Sequence, residues 1–211
     1  MPKKTIKRFF CEGETRALLF LYGGAAFHFL YAAFRLFSGA FFRQDHIDVA
    51  AIFYLSLAIN RLSIIFAYRK RHTPVKITAA LSRSGKLLYV TAGCMLLLIA
   101  DTIAGARRAP FPHFAVFVSG TYAMISAALA IAELFYLKRL GSPLLSASRA
   151  VGLASALLSG FTFLEDLLFS FSPFSEAFRR ILLLSVGSFI LLLMLFFAVG
   201  FAYFNARKHD G

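Results

Sequence analysis

Tryptophan is absent from this chain of 211 residues, cysteine occurs only twice, and acidic residues number ten. Each shortage removes a class of explanation. Cys11 precedes the first long apolar run and Cys94 lies inside a later one, so the sequence carries no disulfide framework. No His-Glu-x-x-His pair offers a zinc site, and no Walker-type loop offers a phosphate cradle. His28 is the single histidine well inside an apolar run, whereas a membrane haem needs two axial ligands. Ser119-Gly120 and Ser159-Gly160 are dipeptides with no base on a neighbouring helix face to activate them, so serine hydrolysis has little support. The expectation is no catalytic residue, no metal and no cofactor.

What is abundant is apolar. Hydrophobic residues make up 59% of the chain, 26 of them are Phe, and the mean hydropathy is +0.73. Soluble domains run nearer 45–50% apolar. A soluble core of this size would leave too little polar surface to cover it, so the bilayer has to serve as solvent. The net charge of +13 brings nucleic acid to mind, but the Lys and Arg residues fall between apolar runs. That is the pattern of a membrane protein's loops, and nucleic acid is set aside as a partner.

Six runs approach the roughly 20 residues that one crossing needs. They cover residues 17–37, 49–68, 87–103, 114–137, 150–171 and 181–204, with Pro and Gly clusters around Pro74, Pro110, Pro143 and Pro173 between them. The third run is short and has Lys86 at its edge, as a snorkelling residue would be. The expected fold class is all-α: a polytopic membrane helix bundle of six transmembrane helices in three consecutive hairpins. Residues 1–16 form a basic N-terminal segment, 17–206 the membrane domain and 207–211 a tail.

Lys and Arg set the orientation. Sixteen lie on the side that holds both termini, among them Lys3, Lys4, Arg69, Lys70, Lys138 and Lys208. Five lie on the other, namely Arg43, Arg107, Arg108, Arg179 and Arg180. The positive-inside rule then makes both termini cytoplasmic, in a multi-pass protein of the cell (inner) membrane. Glu12, Glu14 and Arg16 interrupt before any apolar run, which argues against a cleaved leader. Lys3, Lys4, Lys7 and Arg8 beside Phe9 and Phe10 suit a segment lying on anionic headgroups.

A weak period of about 65 residues underlies the hairpin reading. Arg35, Asp101 and Asp166 stand near the ends of the odd runs, and basic clusters close the even ones. A two-helix unit repeated three times would produce this spacing.

Charges inside spans are costly, about 2.5–3.5 kcal/mol at mid-bilayer, and need partners or a function. Arg35, Asp101, Glu165 and Asp166 fall toward the outer side and would line a vestibule. Arg61 and Glu133 fall toward the inner side, at about 12 Å and 8 Å from the basic boundary, with opposite signs. An ion pair between them is expected, as glue or as a gate. Ser155, Ser159, Thr162 and Asp166 recur on one face of the fifth helix. Ser119, Tyr122, Ser126 and Glu133 do so on the fourth, and Gly24, His28, Ala32 and Arg35 on the first. The sixth run has no charge and is expected to face lipid most.

These features point to a small solute or ion transporter, or a permease component that works with a separate protein subunit. The competing reading is a membrane sensor, anchor or assembly module whose charges are structural. An intramembrane enzyme is the weakest of the three.

Overall fold

The computed structural model describes residues 13–42, 45–69, 74–104, 113–138, 143–171 and 174–206. They form six helices: α1 (Gly13–Phe42), α2 (Asp45–Arg69), α3 (Pro74–Ala104), α4 (His113–Lys138), α5 (Pro143–Phe171) and α6 (Glu176–Ala206). Among the described residues there is no strand. Every helix holds a stretch long and apolar enough to cross a membrane, and the chain is a polytopic helix bundle, as expected.

Local chemistry explains where the helices begin. Pro74 and Pro143 open α3 and α5, at the position where a missing N–H costs nothing and the fixed φ suits a helix. Ser175 caps α6. Its hydroxyl accepts the Phe178 N–H at 3.4 Å and its carbonyl accepts the Arg179 N–H at 3.1 Å.

The third span differs from its sequence reading. It is not short: α3 is apolar enough to cross from Ala79 to Ala104. Arg83 and Lys86 made residues 74–86 look like a loop, yet both are exposed side chains on a continuous helix. α1 also begins earlier than residue 17. The expected headgroup contacts of residues 1–12 and the cytoplasmic tail 207–211 lie outside the described residues.

The three consecutive hairpins are not how the helices pack. α1 pairs closely with α2 and α4 with α5, but α3 pairs with α6, and α3 and α4 have no packing contact. The bundle is two rows of three, α1-α2-α3 and α4-α5-α6, with α1 facing α4, α2 facing α5 and α3 facing α6. The period of 65 residues came from alternating loops and spans, which any antiparallel chain shows; it does not encode which faces fit. Small residues settle that. Gly187 of α6 lies where a Cβ would press on Met95 and Ile99 of α3 and on Phe161 of α5. Asn60 and Ser84 tie α2 to α3 by two hydrogen bonds, at 2.5 and 3.2 Å.

α5 touches all five other helices. α2 and α5 are the most buried spans and α6 the least. Large apolar side chains such as Leu30, Phe117, Met124 and Phe196 are exposed around the bundle, where hydrocarbon would cover them.

Candidate functional site

Four helix faces, from α1, α2, α4 and α5, meet in a buried polar column. On α1 the seven- and four-residue spacings bring Gly24, His28, Ala32 and Arg35 to one side, and all four are buried. Ser119, Tyr122, Ser126 and Glu133 of α4 and Ser155, Ser159, Thr162 and Asp166 of α5 are buried too. The column holds two ion pairs at different levels, and the second leaves Glu133 Oε2 buried without a hydrogen-bond partner.

The first pair joins α1 to α5. Arg35 Nη2 donates to Asp166 Oδ2 at 2.6 Å and Nη1 to Oδ1 at 3.3 Å, the forked geometry that favours Arg over Lys. Arg35 Nε donates to the Tyr31 hydroxyl at 2.9 Å, one turn back on the same helix. Ser119 closes the group, donating to Asp166 Oδ2 at 2.6 Å while accepting from Tyr31 at 3.1 Å. Arg35 is 2% exposed and Asp166 4%. The charge is sealed.

The second pair joins α2 to α4, although these helices do not pack on each other. Arg61 reaches Glu133 through a gap made by two glycines. A Cβ on Gly24 of α1 would meet the Arg61 guanidinium, and one on Gly152 of α5 would meet Glu133 Oε2. Arg61 is 1% exposed and Glu133 0%.

His28 ties this pair to the tyrosines. Arg61 Nε can only donate, and it points at His28 Nε2 from 3.1 Å. His28 therefore accepts at Nε2 and, as neutral imidazole, carries its proton on Nδ1. Nδ1 donates to the Tyr122 hydroxyl at 2.6 Å. Ser155 lies 3.4 Å from the same nitrogen and is bonded to Ser126 at 3.0 Å.

Three tyrosines separate the two levels. Tyr31 and Tyr122 stack with centroids 3.6 Å apart and planes 8° from parallel. Tyr54 of α2 meets both edge-on, at 4.8 and 5.2 Å, and its hydroxyl bonds Thr162 at 2.9 Å. Along α1, Arg35 stands seven residues beyond His28, about 10 Å, with Tyr31 between them.

No family model, no curated protein and no solved structure matches this chain.

Of the residues expected at one outer vestibule, two are joined directly. Arg35 and Asp166 join in a closed pair, and Glu165 is buried beside them in sequence. Asp101 is half-buried on α3, which has no packing contact with α1. Ser159 spends its hydroxyl on the Ala156 carbonyl of its own helix. Lys86 is exposed. Tyr31 and Tyr54 escaped the sequence reading, which looked for charge and hydroxyl stripes. Tyr31 was findable, since it stands one turn before Arg35; Tyr54 had no such signal. Among the described residues, no three of His, Cys, Asp and Glu gather as a metal site requires.

Proposed function

We propose that the chain is a small solute or ion transporter, or the membrane component of one, with its path along the buried column between α1, α2, α4 and α5. One observation carries this reading: two sealed ion pairs at two levels of one polar column, with packed tyrosines between them. Ion pairs buried this deeply are poor fasteners, because apolar residues of similar volume often hold as well or better. Within a bilayer, ionisable side chains that face the bundle interior mark pathways by default.

The pairing pattern supports two gates. Each pair joins the first helix of one half to the second helix of the other: Arg35 of α1 to Asp166 of α5, and Glu133 of α4 to Arg61 of α2. Three crossings make one half, so the second half traverses the membrane in the opposite sense. The same cross-link therefore occurs once toward each end of the bundle. Arg35-Leu36-Phe37 and Glu133-Leu134-Phe135 set the two charges in matching sequence. Tilting one half against the other would open one pair while the second stays shut, which is the mechanics of alternating access.

The burial of all four charged groups is shared with the second reading, a sensor, anchor or assembly module held together by its charges. Thiol accessibility separates the two. With Cys11 and Cys94 replaced, Ser119→Cys and Ser126→Cys report on the two levels to a membrane-impermeant thiol reagent in vesicles. Asp166→Asn should expose the first cysteine and leave the second protected; Glu133→Gln should do the reverse. If both neutralised forms keep both cysteines protected and lose only stability, the module reading holds.

A further inference from the structure

The tyrosine partition has a second face. Between α1 and α4, the least closely packed neighbours around the rim of the bundle, runs a groove of about 400 Å³. Its walls are Phe27, Leu30 and Phe34 from α1 and Phe117, Val118 and Ile125 from α4. Tyr31 and Tyr122 also line it, so the same two residues belong to the groove and to the buried column. The volume is within the roughly 300–1,000 Å³ of small-molecule sites.

The groove opens sideways, at mid-depth. Phe27 is nine residues beyond Leu18, where the first span begins, and Phe34 is seven before Phe41, where it ends. That leaves about 14 and 10 Å of helix to the two boundaries, so water at neither surface reaches the opening directly. The residues flanking it, Leu30 and Phe117, are 67% and 71% exposed and continue the apolar surface that lipid covers. Phe27 stacks on Tyr122 at 4.8 Å and Phe34 on Tyr31 at 5.9 Å, so a ladder of four rings runs along the groove.

We infer that this groove is a binding site for a single-chain amphiphile drawn from the bilayer, its hydrocarbon lying along the ring ladder and its polar end against the rings of Tyr31 and Tyr122, whose hydroxyls are turned into the column behind them. The inference rests on the transport reading and names its substrate class. The tyrosines are then the door between hydrocarbon and column: parting their stack gives the polar end access to the hydroxyls of Ser119 and Thr162 and to the two ion pairs. A water-soluble solute would have no use for an apolar groove at this depth. A lipid-derived one would need it.

The absence of tryptophan makes the test clean. Phe34→Trp and Ile125→Trp each place one fluorophore in the groove, and Phe189→Trp places one on the open face of α6. In vesicles of saturated phosphatidylcholine, 9,10-dibromostearate is titrated as quencher. The groove variants should saturate, with half-quenching at a mole fraction roughly tenfold below that of Phe189→Trp. Adding Val118→Phe to either groove variant should return it to the control curve. Identical curves at all three positions would mean boundary lipid only and would overturn the inference. The readout is independent of flux and thiol labelling: saturable quenching without gated labelling would leave a lipid site on a module, and gated labelling without saturable quenching would leave a transporter of some other substrate.

Discussion

Gly24 and Gly152 do for the second ion pair what no charged residue can do for itself. Arg61 and Glu133 sit on helices that are not neighbours, and the pair forms because α1 and α5 each withhold a side chain where it passes. Gly152→Ala should therefore cost about 1–3 kcal/mol by overpacking against Glu133 and Arg61. Gly160, with open space around its Cα, is the control. Gly160→Ala should be neutral or stabilise by up to about 1 kcal/mol through helix propensity. Reversible unfolding in mixed micelles reads both. The pair itself is tested by Glu133→Gln, which leaves the Arg61 guanidinium buried without its counter-charge and should cost about 3–5 kcal/mol. Combining it with Arg61→Met should recover at least half of that loss; no recovery would show that the two side chains do not depend on each other. At this scale the sequence was informative about charge, since Arg61 and Glu133 have opposite signs at similar depth. It set Gly24 on the face of His28 and Arg35 but was silent about Gly152, because a glycine in a span looks the same whether it faces lipid, as Gly160 does, or a carboxylate, as Gly152 does.

Helix boundaries and helix partners were legible to different degrees. Length and apolar content located the spans, because hydrocarbon thickness imposes a minimum run that composition must satisfy. Charged residues on an exposed face hid the first part of α3, since a basic helix end and a basic loop have the same composition. Partner choice was not legible. It depends on which small residues meet which large ones, as where Gly187 meets Met95 and Ile99, and where Phe163 lies against Gly120. Cysteines at Ile99 and Gly187 should crosslink readily under mild oxidation, as α3 and α6 require. Cysteine pairs drawn from α3 and α4 should not, whatever their depth. Equal crosslinking of both sets would restore consecutive hairpins and remove the two-row arrangement.

For the whole molecule, six crossings would start α1 and end α6 on one side of the membrane, and the bias of basic residues makes the cytoplasm the expected side. A fluorescent reporter that matures only in the cytoplasm should be bright at the C-terminus, and an exported phosphatase fused there should be inactive. Two halves of three helices are cross-linked by Arg35–Asp166 and Arg61–Glu133. The tyrosine partition of Tyr31, Tyr54 and Tyr122 lies between the two cross-links, along the same column. Sequence by itself determined the solvent, the number of crossings and the side on which the basic loops are expected, because transfer of apolar and charged groups into hydrocarbon is a property of each segment. It also picked out Arg35, Arg61, Glu133 and Asp166 as residues needing partners. Only the tertiary structure decided that Arg35 takes Asp166 and that three tyrosines stand between the pairs. It alone left a lipid-facing groove beside them. Those outcomes depend on helix rotation and on gaps between faces, and no single segment carries that information.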